Sequence, residues 1–442
     1  GVLMRAKSSL KIWILIFVIG LIMTGCTLQE EKNESSLENK TESVTEKKLE
    51  SSKEETAQVT EESSELAEET VTEESEKAEE TTTMMQTGPT APESPIVHSV
   101  RLMAVGDNLM HLSNTMSAKQ PDGSFDFTYH FQHIAPIIQQ ADLAVVNQEC
   151  VMGGIELGIQ TYPCFNTVYE VGRDLVKAGF NVILAANNHI LDQGEIGLQN
   201  MIRYWKINYP DIPVLGIHET EEDSKIIPVI EKNGIRIAML NYTYDTNLKA
   251  GIEEKPYLVD YLEEERIESD IKKAKTMADF IIVFPHWGEE YNDTPTPEVQ
   301  ELAKKMANWG ADLIIGAHPH VIEPVEWIPR ANDKPTLVYY SLGNFQSEQF
   351  RTEQMLGGLA DVTIIKDENG DTYVLNHAME YLVTHYQLTI PNLGYYNIVT
   401  TYPWEQYSPE LATAPHGIIS KDPTFSYEKL DQIRKNMMAR CQ

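Results

Sequence analysis

The chain has 442 residues and carries 67 Asp and Glu against 35 Lys and Arg, a formal net charge of −32. Phosphate backbones are bound by basic surfaces, so this balance excludes the nucleic-acid-binding classes and predicts no nucleic acid among the partners. The four cysteines include no Cys-x-x-Cys pair, which argues against a zinc site built on thiolates.

The segment 1–26 has the features of a lipoprotein signal peptide. Basic residues Arg5 and Lys7 precede an apolar run over residues 12–23, which is short for a membrane span. The Met-Thr-Gly-Cys sequence that ends at Cys26 resembles a bacterial lipobox, in which the cysteine is lipidated. We therefore expect lipidation of Cys26 and a place on the extracellular face of the bacterial cytoplasmic membrane. The alternative is an ordinary secretion signal with an incidental cysteine.

The segment 27–95 has the composition of a disordered acidic tether. It is rich in Glu, Ser, Thr and Lys and contains almost no large apolar residue. Such a segment cannot bury enough apolar surface to fold, and its like charges repel one another. We expect it to hold a folded domain at a distance from the membrane.

The core segment 96–350 alternates between predicted strands and predicted helices. Apolar runs predict strands that include Val100–Val105, Asp142–Val146, Asn181–Ala185, Phe280–Phe284 and Asp312–Ile315. Amphipathic stretches between them predict helices, and an Asn-Gly pair at 233–234 predicts a hairpin. This order predicts an α/β sandwich rather than a single doubly wound sheet.

Polar side chains follow these strands directly. In chain order they are Asp107, Asn147, Glu149, Asn188, His189, His286, His318, His320 and Asn344. Because ligands bind at the carboxyl ends of strands in α/β proteins, we expect these side chains to share one site. Carboxylates and imidazoles are ligands of divalent metals. The alternatives are surface histidines beside a turn for His318 and His320, and turn or cap roles for Asn187 and Asp192.

Two further features of the sequence concern the rest of the chain. Cys150 and Cys164 enclose a glycine-containing loop, and outside the membrane they are candidates for a disulfide; the alternative is two free buried thiols. The extension 351–442 contains alternating strands and a predicted helix at Tyr427–Met438. We expect this extension to complete the same domain as the core.

Six motifs, in this order, resemble those of the CapA family of bacterial capsule proteins. They are Gly106-Asp107, Asn147-x-Glu149, Asn188-His189, His286-Trp287-Gly288, Gly316-Ala317-His318-Pro319-His320 and Ser341-Leu342-Gly343-Asn344-Phe345. The resemblance implies a metallophosphatase-like fold, an α/β/β/α sandwich with mixed sheets. It covers roughly residues 98 to 350.

The resemblance also implies a metal centre with one or two divalent ions, Mn, Fe or Zn. Its ligands would be Asp107 and His320 on one ion, Asn188, His286 and His318 on the other, and Glu149 between them. The chain departs from the phosphoesterase pattern in two places. Asn147 and Glu149 stand where those enzymes have Gly-Asp and a further Asp, and the pattern also has a histidine two residues after the first aspartate. Here that residue is Leu109, and His111 lies four residues on. The first metal position is therefore short of ligands.

The remaining residues of the site are assigned to the substrate by the same resemblance. His189 would lie beside the substrate as a general acid or as a donor to developing charge. Asn147, Glu289 and Asn344 are expected to contact the substrate.

Three functions are open to such a chain. The first is a surface-anchored protein of poly-γ-glutamate or related anionic capsule polymer biosynthesis or export, with a metal-dependent phosphoesterase-type hydrolase site. The second is a non-catalytic metal- and polyanion-binding subunit of a membrane polymer synthase. The third is a secreted solute-binding module with structural histidines. The expected partners are the membrane, reached through the lipid anchor, an anionic polymer or phosphoester substrate, and membrane synthase subunits.

Overall fold

The computed structural model describes residues 86–89, 92, 94–249, 252, 254–331, 333–390, 393–413 and 417–441. The predicted signal peptide, Cys26 and the tether as far as residue 85 lie outside the described residues. Within the described ranges, no helix combines the length and the apolar character needed to cross a membrane.

The described residues contain fifteen β-strands, which form two sheets. Their bounds are β1 Gln86–Thr87, β2 Ile96–Asn108, β3 Leu143–Asn147, β4 Val182–Leu184, β5 Val214–Leu215, β6 Val229–Lys232, β7 Ile235–Thr243, β8 Phe280–His286, β9 Leu313–Ile315, β10 Val325–Arg330, β11 Asp333–Tyr339, β12 Asn344–Gln346, β13 Leu356–Asp367, β14 Thr372–Gln387 and β15 Ile398–Pro403.

Both sheets are mixed. The nine-stranded sheet has the order β1-β14-β13-β2-β3-β4-β5, with β12 beside β2 and β15 beside β14. Its strands from β2 to β5 run parallel, whereas β13 and β14 are antiparallel to their neighbours. The six-stranded sheet has the order β10-β11-β9-β8-β7-β6, with parallel pairs at its centre and an antiparallel hairpin at each edge.

Most helices lie between strands in the sequence and pack on the outer faces of the sheets, whereas the two helices that follow β15 contribute Ala412, Leu430 and Met437 to the cluster between the sheets. The bounds of the helices are Leu112–Ser117, Thr128–Phe131, Ala135–Ile138, Glu170–Ala178, Gly194–Asn208, Glu264–Ala274, Pro297–Trp309, Pro409–Thr413 and Tyr427–Met438. Local chemistry sets their ends. Thr296 caps the start of helix Pro297–Trp309 by accepting the Val299 N–H, and Gly179 ends helix Glu170–Ala178 in the left-handed conformation that glycine favours.

Side chains that alternate along the strands divide the apolar residues into layers. Leu102 of β2 and Ile282 of β8 lie in the cluster between the two sheets. Met103 points to the opposite face of its sheet and packs with helix residues such as Leu175, whereas Val283 packs against the helices on the six-stranded sheet. The predicted α/β/β/α sandwich with mixed sheets is confirmed.

Two segments outside 96–350 contribute strands to the nine-stranded sheet. β13 lies beside β2, and β14 lies beside β13, so residues of the extension 351–442 form part of the same sheet as the core. Residues 86 and 87, which fall in the predicted tether, form β1 and pair with β14. Ordered structure therefore begins before residue 96, because main-chain pairing with β14 holds a segment whose side chains have little apolar character.

Candidate metal centre

Strands of both sheets end at the same edge of the sandwich. Asp107 lies near the end of β2, and Glu149 follows β3 in the nine-stranded sheet. His286 is the last residue of β8, and His318 and His320 follow β9 in the six-stranded sheet. All five side chains are buried. The sandwich therefore brings together polar groups that are far apart in the sequence.

Glu149 lies at the centre of this cluster. Ligand atoms of Asp107, Glu149 and His320 lie within 4.8 Å of one another, and those of Glu149, His286 and His318 form a second such group. Glu149 Oε1 is 3.5 Å from His286 Nε2 and 3.6 Å from His320 Nε2. Two atoms that bind one ion tetrahedrally at about 2.1 Å lie roughly 3.4 Å apart. The spacing fits a cation on each side of Glu149.

The hydrogen bonding of the cluster also fits a cation. Among the described residues, neither carboxylate oxygen of Glu149 has a hydrogen-bond partner, and the same holds for Asn147 Oδ1 and His318 Nδ1. A buried polar atom without a partner costs about 1–3 kcal/mol. Oxygen and imidazole nitrogen donors suit Mn, Fe and Zn. These residues form a candidate divalent-metal site.

Asp107 connects the end of β2 to the loop after β9. Its Oδ1 accepts a 2.7 Å hydrogen bond from Asn147 Nδ2. Its Oδ2 accepts the His318 backbone N–H at 3.3 Å and lies 3.2 Å from His320 Nδ1. The carboxylate is thereby fixed relative to both imidazoles of the loop.

Asn188 and His286 form the other side of the cluster. Asn188 Oδ1 lies 3.0 Å from His286 Nε2, and the rings of His286 and His318 have centroids 4.8 Å apart. His286 Nδ1 is 3.3 Å from Asn147 Nδ2. The residues of the second predicted ligand set therefore lie next to one another in space. They are Asn188, His286 and His318.

The backbone of the His318–His320 loop is strained. His318 has φ 104° and His320 has φ 60°, in the region that residues with a Cβ rarely adopt. Such residues cost on the order of 1–3 kcal/mol each and cluster at functional sites. Gly316 allows the loop to approach its neighbour closely, since a Cβ there would lie 2.0 Å from the Tyr340 carbonyl oxygen.

The protonation of the metal-free cluster is uneven. Burial and the charge of Asp107 raise the pKa of Glu149 well above its usual value. Burial lowers the pKa of His286 to about 3 and that of His318 well below its usual value, so both rings are neutral and able to bind metal. Burial opposes the protonation of His320, but the charges of Glu149 and Asp107 raise its pKa to about 9.

His189 lies beside the cluster in a hydrogen-bonded pair with Asp192. His189 Nδ1 is 2.7 Å from Asp192 Oδ2, which also accepts the Phe165 backbone N–H. Phe165 contacts the His189 ring edge to face at 4.6 Å, and Asn247 Nδ2 lies 3.2 Å from Nδ1. Asp192, for which the sequence left a turn or cap role open, orients this imidazole. Asn187 has a local role, because its amide bonds the Gln148 and Ala185 carbonyls.

The three predicted substrate contacts differ in their surroundings. Asn147 is buried between Asp107 and His286. Asn344 is also buried; its Oδ1 lies 3.1 Å from His320 Nδ1, and its Nδ2 donates to the His320 carbonyl. Both asparagines therefore support metal-ligand side chains. Glu289 is exposed, and its carboxylate accepts a hydrogen bond from Asn292.

Sequence reasoning missed three residues at this edge. Glu290, adjacent to the predicted Glu289, has an oxygen within 4.8 Å of ligand atoms of His318 and His320. The Tyr244 ring lies 4.6 Å from the His318 ring, and the Tyr291 ring lies 6.0 Å from the His320 ring. Tyr244 directly follows β7, which is the same strand-end signal that located the other residues.

The predicted disulfide between Cys150 and Cys164 is wrong. Cys150 is a free, fully buried thiol that follows β3 and packs in the apolar cluster under the helices. Its Sγ accepts a hydrogen bond from Gln148 Nε2 at 3.3 Å. The end of β3 directs Cys150 into the core, and Cys164 is therefore not its partner.

His111 does not replace the histidine that is missing two residues after Asp107. Leu109 is buried in the apolar core. His111 Nδ1 lies 3.2 Å from both the Leu109 carbonyl and the Glu348 N–H, and its ring contacts Phe165. Among the described residues, His111 belongs to no group of metal-ligand atoms, so the first position has Asp107, Glu149 and His320.

Comparison with known families identifies the chain. Residues 101–349, more than half of its length, match the family model described as bacterial capsule synthesis protein PGA_cap. The chain belongs to this family. The predicted membership of the CapA family is confirmed.

Relatives of the chain carry the CapA name. Capsule biosynthesis protein CapA of Bacillus anthracis is 30% identical over 276 residues, which are 59% of this chain and 64% of that protein. PGA biosynthesis protein CapA of Bacillus subtilis strain 168 is 29% identical over 248 residues, which are 54% of this chain and 62% of that protein. The chain spans somewhat less than two thirds of the length of these curated relatives.

Solved structures with a similar arrangement include two from Thermus thermophilus. A 5′-nucleotidase precursor has a TM-score of 0.39 and 13% identity, covering 77% of this chain and 59% of its own. A hypothetical protein has a TM-score of 0.37 and 15% identity, and the match covers 64% of this chain and 99% of that protein. At these scores the fold assignment rests on the sheet order described above.

Proposed function

We propose that this CapA-family chain is a surface-anchored protein of poly-γ-glutamate or related anionic capsule polymer biosynthesis or export, with a metal-dependent phosphoesterase-type hydrolase site. The observation that supports it most is the buried Glu149 carboxylate, without hydrogen-bond partners among the described residues, between His286 and His320. A structural glutamate in that position would leave both oxygens unsatisfied. A hydrolase centre gives them cations to bind.

The chain's own residues supply positioning and a proton. Divalent ions at this site would polarise a phosphoryl or similar oxygen and neutralise developing negative charge. Asp192 accepts from His189 Nδ1 and so fixes the imidazole, which leaves Nε2 as the nitrogen that would give a proton to a leaving oxygen. Asn147 and Asn344 hold Asp107 and His320 in place.

The test is turnover by the full chain in lipid nanodiscs, loaded with Mn²⁺ and given p-nitrophenyl phosphate or bis(p-nitrophenyl) phosphate. We expect His189→Ala to lower kcat by roughly 10²-fold or more with unchanged metal content. His318→Ala should lose bound metal as well as turnover. His98→Ala is the control, since His98 is exposed near the opposite end of β2. Full activity in His189→Ala would contradict the assigned role.

A non-catalytic metal- and polyanion-binding subunit is the second candidate. It is favoured by Leu109 and His111, which leave the first metal position with three ligands from the described residues. A chain with two bound ions per molecule, confirmed by elemental analysis, and no turnover of either ester would support this function over the hydrolase.

The surface location is proposed from the lipobox at Cys26 and the acidic composition of the segment after it. Expression of Cys26→Ser beside the unchanged chain tests it. We expect the unchanged chain in the membrane fraction and the variant in the soluble extracytoplasmic fraction. Equal membrane association of both would exclude the cysteine as the anchor.

A further inference from the structure

A cavity separate from the candidate metal centre lies between the edges of the two sheets. None of the candidate metal-ligand residues lines it. It has a volume of about 320 Å³ and is bordered by β5, β7 and the segment that leads into β6. Ligand pockets in proteins typically have volumes of about 300 Å³ or more. The apolar part of its wall includes Ile202, Trp205, Ile217, Ile227, Met239 and Leu240.

All three apolar layers of the sandwich contribute to this wall. Met239 belongs to the cluster between the sheets, Ile217 to the cluster under the helices of the nine-stranded sheet, and Leu240 to that of the six-stranded sheet. Ile226, at the cavity's rim, is 63% exposed. The edge of the sandwich is thus an apolar recess that opens to solvent.

Trp205 supplies an unused hydrogen-bond donor in this wall. Its side chain is 2% exposed, and its indole Nε1–H has no acceptor among the described residues. Buried indole N–H groups usually find a partner. Because Nε1 is itself shielded from solvent, an oxygen acceptor of a ligand in the cavity reaches it only through a small shift of the indole.

The polar part of the wall is acidic. Its charged side chains are four carboxylates and two cations, namely Glu219, Asp223, Asp260, Asp270, Lys206 and Arg266; His218 also lines the cavity, with Nε2 2.8 Å from Asp260 Oδ2. Lys206 pairs with Glu219 at 2.7 Å, and Arg266 pairs with Asp270 at 2.6 Å. Asp223 is 3.8 Å from Lys206, which is already paired. The excess negative charge favours a cation and disfavours an anion.

We propose that this cavity binds a small amphipathic organic cation. The apolar body of the ligand fills the recess, an oxygen accepts the Trp205 Nε1–H after a small shift of the indole, and an ammonium group lies against Asp223 at the exposed end, because Lys206 already occupies Glu219. This site is separate from the proposed metal-dependent function and does not depend on it.

The experiment compares three probes of equal length that differ in charge. The full chain in lipid nanodiscs is titrated by calorimetry with 6-aminohexan-1-ol, 1,6-hexanediol and 6-hydroxyhexanoate, with empty nanodiscs as the blank. We expect a roughly millimolar or tighter Kd for the amine, given its few heavy atoms. The diol should bind at least about fivefold more weakly, and the carboxylate should bind weakest of all.

Variants assign the binding to this cavity. Asp223→Asn and Trp205→Phe should each weaken amine binding at least about threefold. Glu222→Gln is the matched control, because Glu222 is exposed, adjacent to Asp223 and outside the cavity wall. The proposal is overturned if no probe binds, if the three bind equally, or if Glu222→Gln weakens binding as much as Asp223→Asn. Because Asp223 is at the surface, its variant should fold even if Trp205→Phe does not.

Discussion

The chemistry of the candidate metal centre depends on one carboxylate that has no partner among the described residues. Glu149 is buried beside Asp107, and the like charge raises its pKa together with burial. Burial and the Asp107 charge therefore disfavour the ionised form of Glu149 in the metal-free chain, and a bound cation offsets both effects. The contribution of Glu149 to metal binding can therefore be measured separately from its contribution to stability.

Replacing Glu149 tests this separation. In Glu149→Gln we expect Mn²⁺ affinity to fall at least about tenfold, while the Tm of the metal-free chain stays close to that of the unchanged chain, because the amide keeps the shape of a carboxyl whose ionised form burial already disfavours. Calorimetric titration and thermal unfolding measure the two effects. Glu289→Gln is the control, since Glu289 is exposed and its carboxylate accepts a hydrogen bond from Asn292. Glu290→Gln is compared with both, because the Glu290 carboxylate lies near His318 and His320; a larger loss of affinity there than in Glu149→Gln would shift the bridging role to Glu290.

A second buried carboxyl predicts a dependence of stability on pH. Glu323 is 1% exposed, its Oε2 has no partner among the described residues, and burial raises its pKa to about 8 against the opposing charge of Arg440. The unfolded chain has a Glu pKa of about 4.3. The folded state therefore holds the proton more tightly, and the stability this gives is present at low pH and lost as pH rises to about 8.

Comparison with Glu323→Gln isolates this effect. Relative to the variant, the free energy of unfolding of the unchanged chain should fall by roughly 3–5 kcal/mol between about pH 4.5 and pH 8.5. Urea unfolding of both proteins at each pH measures this change. The difference in free energy of unfolding between the two proteins at the lower pH is the reference. A difference that is the same at both pH values would contradict the prediction.

At the residue scale, the sequence predicted the ligand cluster because each member lies at the end of a strand or shortly after it. It failed where loop geometry or the surrounding core decides the outcome. The sequence does not distinguish Glu289 from its neighbour Glu290. The turn after His286 decides that the Glu290 carboxylate is the one near His318 and His320. Cys150 follows the end of β3, and the core on which it packs is formed by helices distant in sequence.

At the scale of elements, the two sheets are connected beside the metal centre by the side chain of Asn241 on β7. Its Oδ1 accepts the N–H groups of Ala185 and Ala186, which follow β4, at 3.0 and 2.8 Å. Its Nδ2 donates to the Phe284 carbonyl of β8 at 2.8 Å. The loop that carries Asn188 is thereby tied to the strand that ends in His286.

Removing this connection should loosen both elements. We expect Asn241→Ala to lower the free energy of unfolding by about 2–4 kcal/mol, since three buried backbone groups each lose a hydrogen bond, although the Ala185 N–H keeps the Leu215 carbonyl as an acceptor. Metal affinity should fall with it, because Asn188 and His286 are less well positioned. Asn241→Asp keeps the acceptor for both N–H groups but places a carboxylate against the Phe284 carbonyl. An affinity loss in the alanine variant without any loss of stability would contradict the connecting role.

At the scale of the whole molecule, the fold extends beyond the residues that match the family model. That match ends at residue 349, yet β13 and β14 lie in the nine-stranded sheet and β13 pairs with β2. The sequence predicted this completion from alternating residues in the extension. It did not predict β1, because Gln86–Thr87 has no strand pattern of its own and is ordered by pairing with β14.

Truncation after residue 350 should therefore abolish folding. Without β13, the apolar faces of β2 are unpaired on one side, and the inter-sheet cluster loses residues such as Ala360 and Val362. We expect the shortened chain to give no cooperative thermal transition by circular dichroism and no Mn²⁺ binding, in contrast to the full chain prepared in parallel. A cooperative transition with bound metal would show that the family segment folds by itself.

The pairing of β2 with β13 has a consequence for the order of assembly. Val105, two residues before Asp107, pairs with Leu359, and contacts between such distant parts of a chain form late and slowly. A polypeptide that emerges with its N-terminus first cannot fix Asp107 until the second half of the chain has followed. Ion capture is thus expected to be among the last events of maturation, after the strands from the far end have docked.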